Sequence, residues 1–195
     1  MIRLIDNLRE TAWATNHWSL DGHDFIRRSP DDDVNCHEIY RGCSQAELTE
    51  LNADYDGRLV LQHRAILEIQ NGARLFDNGI NVYGVRAAIA NPGSIGDAGP
   101  IRCSDQAYTF RVTDGDLWDL GFRPFGGVVT EVAHTLLISQ DGHLWRQVGG
   151  QLNRLGDPAE VLSTLVEIWD SCLRQRDEYD APFPAIEAWL TNPGS

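Results

Sequence analysis

The chain has 195 residues, 42% of them hydrophobic and 23% charged, a balance that belongs to a globular protein. Its 29 acidic residues outnumber 16 basic ones, and the formal net charge of −13 repels polyanions and argues against nucleic acid as a ligand. All the basic residues are arginine, which excludes chemistry needing a lysine amine: a Walker-type phosphate loop, a Schiff base or a lysine general base.

At the N-terminus, Ile2, Ile5, Leu8, Ala12 and Trp13 keep helical spacing and predict an amphipathic helix running to Thr15. The opening Met1-Ile2-Arg3-Leu4-Ile5-Asp6 is broken by charge too early for a secretory leader. No apolar run reaches the roughly 18 residues of a membrane helix, so a cytoplasmic protein without a membrane partner is expected. From Asn16 to Tyr40 the periodicity is weak and Asp21-Gly22 and Ser29-Pro30 mark turns, so this stretch is expected to be loop with one short element.

Ser44 with Glu47 forms a capping box that starts a helix near Gln45; Leu48, Leu51 and Tyr55 give it an apolar face, and Asp56-Gly57 stops it. A second helix is expected to bury Leu61, Ala65, Ile66 and Ile69. Arg64, Glu68 and Gln70 then face water, and Asn71-Gly72 supplies a left-handed C-terminal cap. Phe76 and an Ile80–Gly84 strand follow. Residues 90–105, rich in Gly and Pro, read as a long surface loop, and Tyr108-Thr109-Phe110-Arg111-Val112 alternates as a strand does.

Phe125-Gly126-Gly127 leads into a long branched strand made of Val128-Val129-Thr130 and Thr135–Ile138. Gln140-Asp141-Gly142-His143 turns it back into Leu144–Val148. Asp157 caps the last major helix, with Pro158 at its first position and Val161, Leu162, Leu165, Ile168, Trp169 and Cys172 on its apolar face. Ala181-Pro182-Phe183-Pro184 ends it, and Ile186, Trp189 and Leu190 suggest a short final helix. The expected class is α+β: N-terminal helices, then a mostly antiparallel twisted sheet with helices packed on it, closed by a C-terminal helix. One domain over residues 1–195 is expected, with 1–40 an N-terminal extension and 177–195 a tail.

Gly42-Cys43-Ser44-Gln45-Ala46-Glu47-Leu48 leading into the first capped helix, Asn71-Gly72-Ala73-Arg74-Leu75-Phe76 leading out of the second, and Val82-Tyr83-Gly84 beyond it form one block. Phe125-Gly126-Gly127, the Asp141-Gly142 hairpin and the late helix form another. Together the two blocks resemble the SUKH superfamily, which joins bacterial immunity proteins of polymorphic toxin systems to Syd-like proteins and yeast cell-wall-synthesis regulators. The chain departs from that pattern at Val60, where the family has a proline opening its second helix, and residues 1–40 match nothing in it. The resemblance implies a binding protein that neutralises a cognate toxin domain, and an acidic chain suits a basic target such as a nuclease.

Carboxylates are dense at Asp31, Asp32 and Asp33 with Glu38, and again at Asp114, Asp116 and Asp119 around Trp118. These are the candidate partner-binding residues, with Trp118 as an anchor. The first group also has a plainer reading as a helix N-terminus, and the Asp spacing of the second resembles a calcium loop but lacks the glutamate that an EF-hand needs at its twelfth position. Cys36, His37 and Cys43 lack a fourth ligand at zinc spacing, and Cys36, Cys43, Cys103 and Cys172 form no CxxC pair, so free thiols and no metal are expected. The six histidines, at 17, 23, 37, 63, 134 and 143, sit in no hydrolase signature. A non-enzymatic protein without cofactor is therefore expected. The alternatives are a general regulatory interaction module, or a hydrolase or small-ligand protein using His134 or His143 in a pocket.

Overall fold

The computed structural model describes residues 16–20, 22–27, 36–85, 100–175 and 180–193. The N-terminal helix expected over residues 2–15, the triple aspartate at 31–33 and most of the expected loop at 90–105 lie outside them.

The stretch read as loop is instead three strands, β1 (Asn16–Leu20), β2 (His23–Arg27) and β3 (His37–Arg41). The reason is that His23 and His37, only 3% and 0% exposed, occupy inward positions where an apolar residue would have shown the alternation. Helix α1 (Gln45–Asp54) begins where its capping box places it. Ser44 Oγ accepts the Glu47 N–H, and Glu47 Oε2 accepts the Ser44 N–H at 2.6 Å. Leu48, Leu51 and Tyr55 are buried, as their spacing predicts.

Helix α2 (Leu61–Ile69) buries Ile66 and exposes Arg64 and Glu68 as expected, but the rest of its buried stripe differs. His63, Ile66 and Leu67 face inward, while Leu61 is 77% exposed. It passes straight into β4 (Gln70–Leu75), where Gln70 is buried rather than facing water. Asn71-Gly72 does not cap the helix. Gly72 does take a left-handed φ of +78°, but inside β4, where Ile39 faces Ala73 and Arg41 faces Gln70, so β4 carries an extra residue as a bulge.

Three left-handed residues, Phe76, Asp77 and Asn78, turn β4 into β5 (Ile80–Val82). A buried phenylalanine is rare in that conformation. It is held by the Phe76 N–H donating to His37 Nδ1 at 3.2 Å, by the Asp77 N–H donating to the Cys36 carbonyl at 3.0 Å, and by stacking of its ring on Trp169 at 5.2 Å. The turn also needs Gly79, because a Cβ there would lie 2.0 Å from Trp169 Cη2.

The expected strand at 108–112 is the middle of helix α3 (Cys103–Thr113), followed by the short α4 (Gly115–Asp119). Cys103, Ala107 and Phe110 are buried at helical spacing, and this stripe outweighs the alternation of Tyr108, Phe110 and Val112. The long strand expected after Phe125 is two, β6 (Arg123–Val129) and β7 (Ala133–Ile138), split at Thr130, whose N–H donates to the Val132 carbonyl. The hairpin to β8 (Leu144–Val148) forms as predicted, and β9 (Gln151–Gly156), which was not expected, extends the meander. In α5 (Pro158–Gln175) the Asp157 carboxylate accepts the Ala159 N–H at 2.8 Å, and α6 (Phe183–Thr191) is the closing helix.

The nine strands form one antiparallel sheet in strict chain order. In β7, Leu136 and Ile138 face one cluster of the core and Leu137 the other, as the pleat requires. Helices α5 and α6 cover the first side through Leu165, Trp169, Ile186 and Leu190; α1, α3 and α4 cover the second through Leu51, Tyr55, Phe110 and Trp118. The fold is therefore α+β, although three strands precede the first described helix. Among the described residues no helix is long and apolar enough to cross a membrane.

Candidate interaction surface

The two acidic groups that the sequence marks are separated by their surroundings. Glu38, on β3, is half-buried and already engaged: it accepts the Tyr40 hydroxyl at 2.6 Å and lies 3.5 Å from Arg74 Nη1. Burial, reinforced by the Glu38 charge, pushes the Tyr40 phenol far up, so it stays a donor to this carboxylate. Asp114 joins α3 to α4. Its Oδ2 accepts the Thr113 hydroxyl at 2.7 Å, and its Oδ1 accepts Gln147 Nε2 from β8 at 2.8 Å.

Trp118 is not a surface anchor. It is 3% exposed, because α4 turns its indole under the chain, where it meets the Tyr55 ring edge-on at 6.1 Å. Its Nε1–H donates to Asp56 Oδ2 at 3.1 Å, and Asp56 also pairs with Arg111 of α3 at 3.4 Å. The Arg111 guanidinium lies 5.6 Å from the Trp118 ring centroid and that of Arg123 only 3.8 Å from it. Arg123 is fully buried and donates from Nη1 to the carbonyls of Trp118 at 2.9 Å and Phe122 at 2.7 Å, a cation at the C-terminal end of α4. Burial first, and then the Arg58 charge, pulls its guanidinium below its usual range. No motif in the sequence announces this stack, since Arg123 follows a glycine and a phenylalanine that carry no polar pattern.

Asp116 and Asp119 are exposed on α4 and take part in none of the ion pairs among the described residues, as is true of Glu50 and Asp54 on α1. Helices α1 and α4 pack on the same side of the sheet, so these four unpaired carboxylates belong to one helical layer. Between them lies α3, whose Tyr108 and Val112 are 74% and 70% exposed. The alternation of residues 108–112 hides this pair in an expected strand; its i, i+4 interval, set against the inward Cys103, Ala107 and Phe110, is the signal that finds it.

The histidines of the alternative reading are elsewhere. His134 is buried, with its Nε2 2.6 Å from Glu187 Oε1 and its Nδ1 accepting Arg146 Nε–H at 3.0 Å, while Thr130 donates to the same Glu187 oxygen. His143 lies on the β7–β8 turn, 3.2 Å from Asp141. A cleft of about 370 Å³ lined by Ser19, Asp24, Tyr40, Arg41 and Gln70, among others, opens beside β1–β3, and neither histidine lines it. Cys36 and Cys43 fall in different core clusters, and among the described residues no group of three or more His, Cys, Asp or Glu is placed to hold a metal ion. Burial pushes the Cys43 and Cys103 thiols up to about 12, which keeps both protonated and unreactive at neutral pH.

No protein-family model, curated protein or solved structure matches the chain. The resemblance to the SUKH superfamily therefore stands on the two sequence blocks quoted for it.

Proposed function

We propose that the chain is an immunity-type binding protein of the cytoplasm that neutralises a cognate basic toxin domain, a nuclease, by covering its site. The observation that carries this reading is the layer of exposed, unpaired carboxylates, Glu50, Asp54, Asp116 and Asp119, on a chain of net charge −13. Carboxylates left without partners on rigid helices keep their full field for an incoming cationic surface. Such a field steers encounter, while a few desolvated contacts supply the affinity. The two SUKH-like blocks point the same way.

Mixing the purified chain with the toxin domain encoded beside it tests the reading. Neutralisation at near-equal molarity is expected, with an association rate that falls as salt rises from 50 to 500 mM, since the Debye length shrinks from above ~10 Å to a few ångströms. Persistence of toxin activity at a tenfold excess would count decisively against it. A second reading, a small-ligand protein, is favoured only by the cleft at Asp24 and Arg41. Saturable protection of β1–β3 amides by a small metabolite would support that alternative.

A further inference from the structure

Six large apolar side chains are exposed among the described residues, and three of them, Tyr108, Val112 and Leu120, fall within thirteen consecutive positions. Leu61 lies on α2, and Val129 and Val132, less exposed at 40% and 48%, flank the β6–β7 turn, so the remaining three are the more exposed group. Tyr108 and Val112 are i, i+4 neighbours on α3, Leu120 caps the end of α4 with its N–H donating to the Asp116 carbonyl at 3.0 Å, and the four residue steps from Val112 to Asp116 span at most ~14 Å. Asp105 stands one turn before Tyr108, and Asp119 one turn after Asp116. Apolar side chains at 70 to 74% exposure with carboxylates one turn away suit a contact that is dried at its centre by a polar rim.

These side chains are mounted on fixed supports. Arg111 links α3 to α4 across the Trp118 ring, Asp56 bonds both Arg111 and Trp118, and Arg123 donates to the Trp118 carbonyl of α4 and to the Phe122 carbonyl just after it. The Gln147 amide pins Asp114, the single residue between the helices, to the sheet. A surface held in this way loses little conformational freedom when it is covered.

Resting on the reading above, we infer that the α3–α4 face centred on Tyr108, Val112 and Leu120 is the docking surface, and that its occupant is a basic protein presenting apolar side chains flanked by arginine or lysine. A second copy of this chain is the weaker occupant, because a twofold contact would set the Asp105, Asp116 and Asp119 rims of two chains of charge −13 against each other.

The test has two arms, both on the full chain. In the first, a twelve-residue peptide of alternating leucine and arginine is titrated and amide chemical shifts are mapped. Perturbations concentrated on residues 105–120 are expected. The Tyr108→Ser/Val112→Ser variant should bind about thirtyfold more weakly, as the loss of two central contacts predicts, and Glu131→Gln/Glu160→Gln should bind as the wild type does. Shifts spread over acidic residues elsewhere, or equal binding by the serine variant, overturn the proposal, as does sedimentation showing a dimer that the serine substitutions dissolve. In the second arm, wild type and serine variant are compared in the toxin neutralisation assay. If both neutralise, this face is not the docking surface although the immunity reading stands. If neither does while the peptide still maps to α3–α4, the surface stands and the immunity reading fails. The substituted positions are exposed, so unchanged circular dichroism and melting temperature confirm that the variant is folded.

Discussion

His134 Nε2 lies 2.6 Å from Glu187 Oε1, a contact that ties β7 to the closing helix α6. Because Arg146 donates to Nδ1, the ring proton sits on Nε2 and points at the carboxylate. Three elements of the sheet region thus converge on one glutamate.

Replacing Glu187 with Ala removes the acceptor shared by the buried His134 N–H and the Thr130 hydroxyl, leaving the Thr130 oxygen at 3.2 Å for the ring and the Val132 carbonyl at 3.1 Å for the hydroxyl, and is expected to destabilise the protein by about 1 kcal/mol. Burial alone would raise the Glu187 carboxyl, but the bonds from Thr130 and His134 and the Arg146 charge hold it below its ordinary 4.5. Its contribution is therefore complete above pH 4.5 and disappears as pH falls through the lower folded value. Urea unfolding of wild type and Glu187→Ala at pH 7 and pH 4 measures both effects; equal midpoints at pH 7 would show that the tie is idle.

His63 is buried between Tyr55 and Phe125 with both ring nitrogens unpaired, and burial pulls it down to about 3. His37 is pulled down to about 3 for the same reason. Between pH 6.5 and 3 only the unfolded chain protonates these rings, so each weakens the fold by roughly 1.4 kcal/mol per pH unit in that window and by nothing above it. His63→Phe keeps the ring and removes the titration, so the fall in stability from pH 7 to pH 5 should shrink by about 2 kcal/mol. An acid limb identical to that of the wild type would refute the assignment.

Arg123→Lys retains the charge and loses the plane that faces Trp118, and it must place a new ammonium where Nη1 reaches two carbonyls. A loss of about 2 kcal/mol is expected, along with a shift of the Trp118 indole N–H resonance. If that resonance stays in place, the guanidinium does not pack as described.

Gly79→Ala brings a methyl against the Trp169 ring and is expected to cost about 2–3 kcal/mol. Trimming the ring in the same molecule, as Trp169→Leu, should recover part of that loss. A double-mutant cycle showing strict additivity would place the strain elsewhere.

Helices with caps were the most legible elements: Ser44 with Glu47, and Asp157 with Pro158, announce α1 and α5 because local hydrogen bonds decide where a helix starts. The errors arose where distant packing decided the outcome. Gly72 signalled a left-handed residue correctly, but only the slip between β3 and β4 shows that it serves a bulge. Residues 108–112 satisfy both periods, and the choice between them depended on which side chains the core could take. His23 and His37 hid β2 and β3 by occupying apolar positions. Asp116 and Asp119 were legible as exposed acid. Trp118 was not legible as buried, since its inward turn depends on Asp56 and Arg123, far from it in sequence or without a motif.

The strict chain order of the sheet has a kinetic consequence. Each strand finds its partner just before or just after it, so most ladders close short loops, and the contact order of the sheet is low for a β-rich protein. Two joints interrupt this zippering: α1 and α2 between β3 and β4, and the long passage from Val82 to Arg123 between β5 and β6. The second spans more chain than any other, so the union of the two halves of the sheet at the β5–β6 seam is expected to be the slow step of folding.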